Sequence, residues 1–173
     1  WLVSGPDDKE DIKARLAIFA YPTSAILNAY LSGSEAEKQT QTTSFFNSLP
    51  VPFVSARRTS EYLNNYDIVL AMGYATPGQQ QIMRDRSAAY AATVLARFPA
   101  ILPPTEYTNG ALEEMIALGS AALNFPDHPD AQIWIDRSVD LITQQLNAYY
   151  EPDGPALESP NYHQWELSLL ARF

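Results

Sequence analysis

The chain has no cysteine, which excludes a disulfide framework and thiolate metal sites. Positive charge is scarce: 11 Lys and Arg stand against 20 Asp and Glu, a formal net charge of −9. Phosphate backbones are bound by clustered Lys and Arg, so nucleic acid is not an expected partner. The one adjacent basic pair, Arg57-Arg58, reads as a solvated helix start. No apolar run approaches the roughly 18 residues that a transmembrane helix needs, and no membrane partner is expected. Histidine is rare as well. His128 sits in Pro126-Asp127-His128-Pro129, which reads as a loop, and no second ligand stands at metal spacing. Neither a metal nor a cofactor is expected. Convincing β-hairpin signals and low-complexity tracts are also missing. Trp1 opens the chain without the basic and apolar segments of a secretory leader, so a leader is expected to be absent or already removed.

What is present is globular in composition. Apolar residues make up 46% of the 173 positions and charged residues 18%, enough to bury the core of one ordinary domain. Helical spacing recurs between proline-marked turns. The stripes are Ile12, Leu16 and Phe19 before Pro22, then Ile26, Leu27, Tyr30 and Leu31 with Gly33 as the stop. Ser34 heads Glu35-Ala36-Glu37, a cap followed by first-turn acids, in a helix reaching about Phe46. A further helix spans about Thr59 to Met72 through Tyr62, Leu63, Tyr66, Val69 and Leu70. Thr76-Pro77 opens another, running through Ile82, Tyr90, Val94 and Leu95 to Phe98. Asn109 begins one through Leu112, Ile116 and Leu123, and Asp130 to Tyr149 carries Ile133, Trp134, Leu141, Ile142 and Leu146. Tyr162 to Phe173 resumes the pattern after a loop at Gly154, Pro155 and Pro160. The expected fold is all-α, built of antiparallel helical hairpins in one helical domain over residues 1–173. Periodicity by itself leaves bundle, solenoid and toroid open.

The densest patch of aromatic and polar groups runs from Tyr149 to Trp165 and includes Tyr150, Glu158, Asn161, Tyr162, His163 and Trp165. Aromatic faces stack on sugar rings, and carboxylates and amides bond sugar hydroxyls. The same residues also suit a helix end, an Asp153-Gly154 turn and an aromatic core cluster. Within the patch, Tyr150-x-x-Asp153-Gly154-x-x-x-Glu158-Ser159-Pro160-x-Tyr162-His163 resembles the signature of the heparinase II/III and alginate lyase group. Tyr66-Asp67-Ile68-Val69-Leu70 and Ala29-Tyr30-Leu31-Ser32-Gly33-Ser34 resemble an upstream helix and turn of that group. Thr108-Asn109-Gly110 stands where the group carries its substrate-neutralising Asn, at a comparable spacing from Tyr162. Gly110 departs from the Trp or His that usually follows.

The resemblance implies a partial (α/α) toroid and a polysaccharide lyase that cleaves a uronic-acid-containing polysaccharide by β-elimination. It implies catalytic roles for Tyr162, Asn109 and His163, and substrate contacts from Glu158, Asn161, Trp165 and Tyr150. Asn109 would mask the uronate carboxylate and Tyr162 would move protons. A phenol with a pKa near 10 needs a neighbouring cation to act as base at neutral pH. The partner is then a polysaccharide or oligosaccharide, and the location secreted or periplasmic. Because the chain stops at Phe173 inside an apparent helix, residues 1–173 are expected to be the N-terminal portion of the toroid. The family's later helices and β-sandwich, which supplies a further His, would lie beyond it. Such a portion alone is expected to be inactive, and uncovered apolar faces such as Leu167, Leu169 and Leu170 favour self-association. The acidic net charge opposes a polyanionic substrate. Two competing readings are a toroidal glycoside hydrolase using Asp153 and Glu158, and a non-catalytic helical carbohydrate-binding or scaffold domain.

Overall fold

A computed structural model describes residues 24–53, 55–103, 105 and 108–149. Among these residues 78% are helical and none is in a strand. Six helices follow one another: α1 (Ser24–Ser32), α2 (Glu35–Ser48), α3 (Ala56–Ala71), α4 (Pro77–Arg97), α5 (Asn109–Asn124) and α6 (Ala131–Tyr149). The stretches 11–20 and 162–173, which also carry helical spacing, lie outside the described residues.

The helix starts follow local chemistry. Ser34 caps α2: its hydroxyl accepts from Glu37 N at 3.3 Å, and the Glu37 carboxylate accepts from Ser34 N at 2.7 Å. Thr76 and Gln79 make the same reciprocal pair at α4, where Pro77 occupies the first position, its missing N–H needing no partner. Thr108 caps α5 by accepting from Ala111 N at 3.1 Å. Gly33 ends α1, and Gly73, at φ 82°, turns the chain after α3.

Packing runs through α5. It packs most extensively on α6 and α3 and also touches α4, while α1 packs on α2 and α3. Surrounded in this way, α5 is buried along nearly its whole length, from Ala111 to Ala122, and most of those residues are small. Small side chains let three neighbouring helices approach one axis. The helices therefore alternate: α1, α3 and α5 lie side by side, and α4 and α6, both packed on α5, also touch each other. Although only residues 72–76 join them, α3 and α4 pack on other helices far more than on each other. An aromatic cluster belongs to the core, with Tyr66 against Phe125 at 5.5 Å and Phe53 stacked on Tyr62 at 5.9 Å between ring centres.

Three residues lie elsewhere than their spacing implies. Ile82, Leu123 and Ile133, expected on buried stripes, are 45%, 59% and 56% exposed. Each sits within the first or last two turns of its helix. No described helix is long and apolar enough to cross a membrane.

Arginines fasten the connections. Arg86 of α4 donates to the carbonyls of Leu49 and Pro50, both at 3.0 Å. Arg137 of α6 donates to the carbonyls of Phe98, Pro99 and Ala100, and Gln144 adds a bond from its Nε2 to Ala100 O at 2.9 Å. Arg84 grips both oxygens of Asp127 at 2.8 Å. Arg58, in the first turn of α3, is exposed, as a solvated helix start should be.

Candidate functional site at the start of α5

Of the residues singled out in the sequence, Asn109 lies among the described ones. Tyr162, His163, Glu158, Asn161, Trp165 and Tyr150, together with Asp153, lie outside them. So do Leu167, Leu169 and Leu170.

Asn109 is the first residue of α5, directly after the cap Thr108, and is half-buried. Its Oδ1 is buried and has no hydrogen-bond partner. The strapped connection 98–102 leads toward this turn: besides the bonds from Arg137, Leu102 N donates to Gln144 Oε1 at 2.9 Å. The approach to the site is thus held against α6. From α6 itself Gln145, only 2% exposed, donates through Nε2 to the Thr108 carbonyl at 3.2 Å. That carbonyl also accepts from Leu112 N at 3.0 Å, inside α5.

One turn along α5 stands Glu113, on the same face as Asn109 because residues four apart are helical neighbours. Glu113 and Glu114 both bear on Tyr90 of α4. Burial, reinforced by the Glu114 and Glu113 charges and opposed by Arg97, pushes the Tyr90 phenol above its ordinary value. Its hydroxyl is buried without a hydrogen-bond partner. A phenol held this firmly in its neutral form can exchange hydrogen bonds but is not a base at neutral pH. Arg97 is paired with Glu114 and lies over the Phe98 ring at 4.9 Å.

The resulting arrangement is a helix N-terminus, whose positive end favours an anion, furnished with two amides and flanked by carboxylates and a neutral phenol. His128 belongs elsewhere, in the 125–130 connection. It stacks on Trp134 with ring centres 4.3 Å apart, and its Nδ1 accepts from Asp130 N at 3.1 Å. Among the described residues no three His, Asp or Glu side chains group as a metal site.

Gln145 and Tyr90 were not anticipated as site residues. Gln145 occupies a stripe position of α6 between Leu141 and Ile142 on one side and the end of the helix on the other. A polar side chain on an apolar stripe was the available signal. Tyr90 looks like an ordinary core aromatic in sequence, and only its acidic neighbours on α5 distinguish it.

A scan of protein-family models matches none of them to this chain. Neither a curated protein nor a solved structure matches it.

Proposed function

We propose that the chain is a polysaccharide lyase domain of the (α/α) toroid kind, acting on a uronic-acid-containing polysaccharide by β-elimination at a secreted or periplasmic location. The structural observation that carries this reading is Asn109, set half-buried at the positive end of the most enclosed helix. The resemblance implies for the same residue the task of neutralising a carboxylate. Removing the C5 proton throws negative charge onto that carboxylate. An amide N–H aimed there and a helix N-terminus both favour the charged state as it develops. Tyr162 is the proton-transfer group, with His163 beside it in sequence. Tyr90, kept neutral by burial, is not a substitute for it.

Two further features bear on the reading. Side-by-side packing of alternate helices, α1 with α3 and α3 with α5, is what a two-layered ring of helical hairpins requires, and it supports the toroid. Arg84, Arg86, Arg97 and Arg137 are all engaged within the fold.

The test is to incubate the whole gene product with a panel of uronate polysaccharides and follow ultraviolet absorbance and reducing ends together. A lyase generates both, because elimination leaves a conjugated double bond at the new non-reducing end. New reducing ends without absorbance would replace this reading with the hydrolase acting through Asp153 and Glu158, and neither signal would leave a binding or scaffold domain.

A further inference from the structure

Gln145 lies on the buried face of α6 and is 2% exposed, yet its two ends are treated differently. Its Nε2 donates to the Thr108 carbonyl, while its Oε1 is buried with no hydrogen-bond partner. A methionine or leucine of similar size would fill the same space without an unmet acceptor. An unmet buried acceptor typically costs at least as much stability as one neutral hydrogen bond returns. Packing therefore does not account for glutamine at this position.

We infer that Gln145 is a positioning residue that fixes the first turn of α5 and, with it, the direction of Asn109. Thr108 carries three bonds that define this turn. Its hydroxyl accepts from Ala111 N, its carbonyl accepts from Leu112 N, and the same carbonyl accepts from Gln145. The first two lie within α5 and hold in any orientation of that helix. The third arrives from α6, and so ties the start of α5 to a second element one residue before Asn109. A carboxylate-masking amide works only if its donors stay aimed at the developing charge. The consequence for substrate rests on the lyase reading; the hold on the turn does not.

The experiment compares the whole gene product with its Gln145→Met variant, and with Gln145→Leu as a second variant should methionine fail to fold. Three measurements are made: thermal midpoint, amide hydrogen exchange along α5, and binding of galacturonate, mannuronate and glucuronate oligomers. The midpoint is expected to hold or rise. Exchange at Ala111 and Leu112 is expected to quicken by about tenfold, the scale of one lost hydrogen bond, with the rest of α5 unchanged. Oligomer binding should weaken by a similar factor. Unchanged exchange at Ala111 and Leu112 overturns the inference. A lower midpoint with faster exchange along all of α5 also overturns it, because that is the signature of a packing role. If wild type binds none of the oligomers while exchange responds as expected, the lyase reading fails and the hold on the turn stands. If both proteins bind equally well and exchange is unchanged, Gln145 is not a positioning residue and the lyase reading is untouched.

Discussion

Gly33 and Gly73 close two helices for different physical reasons. A Cβ on Gly33 would meet the Ala29 carbonyl oxygen at 2.6 Å and its Cα at 2.7 Å. Both are backbone atoms, which cannot swing aside. Gly33→Ala is expected to destabilise by about 1–3 kcal/mol, the usual cost of forcing atoms into filled space. Gly73 has open space around its Cα but a φ of 82°, so Gly73→Ala is expected to cost only the left-handed backbone penalty, about 1–2 kcal/mol. Urea unfolding of both variants checks this pair, and a wild-type midpoint for Gly33→Ala would contradict the close approach. Gly33 was legible in the sequence as a helix stop. Its intolerance of any side chain was not, because that depends on how the chain leaves α1. Asn109 was legible in the same partial way. Thr108-Asn109-Gly110 marks a helix start, but no local pattern shows that Gln145, far along the chain, reaches the Thr108 carbonyl.

The helix boundaries themselves were readable because caps and prolines are local. Ser34, Thr76 and Pro77 act within one turn of where they stand. What the spacing missed is that α5 is enclosed on several sides. An amphipathic stripe through Leu112, Ile116 and Leu123 describes a helix with one buried face, whereas Ala117, Ala121 and Ala122 are buried as well and Leu123 is not. In such a helix small residues are the signal, since they set how closely α3 and α6 can approach. Ala121→Leu should accordingly overpack the α5 contacts and lower stability by about 1–3 kcal/mol. The same change at exposed Asn147 should be nearly silent, and thermal melts of the two variants test the contrast. The 98–100 connection makes a second case. Arg137 spends its guanidinium on the carbonyls of Phe98, Pro99 and Ala100. Arg137→Ala removes the charged donor from those carbonyls, of which Ala100 keeps its bond from Gln144, and hydrogen bonds from charged donors contribute about 1.5–3 kcal/mol. The variant should unfold earlier in urea, with the first exchange gains between residues 98 and 102. Intact protection there would show that Gln144 alone holds the strap.

At the scale of the whole molecule, two buried phenols link stability to alkaline pH. Burial, only partly offset by Arg84, pushes Tyr66 up to about 12, and Tyr90 is raised by burial and the Glu114 and Glu113 charges. Both folded values lie above the ordinary phenol value near 10, so the folded chain keeps protons that the unfolded chain would release. The stabilisation is complete below about pH 10 and is lost as pH climbs toward and past 12. A spectrophotometric titration should show these two phenols ionising together with unfolding rather than before it, while Tyr66→Phe and Tyr90→Phe should each reduce the alkaline loss. The all-helical class rests on features spread along the described chain, but the chemistry is divided. Asn109 lies within the described residues, whereas the proton-transfer group assigned by resemblance, Tyr162, lies outside them. The most direct test therefore joins the two. The whole gene product, its Asn109→Ala variant and its Tyr162→Phe variant are each followed for ultraviolet-absorbing product on the uronate polysaccharide panel. The account predicts unsaturated product from wild type and a fall of at least about a hundredfold in both variants, the scale of losing one acid–base group or one charge-stabilising donor. Wild-type rates from either variant, or reducing ends without absorbance from wild type, would contradict it.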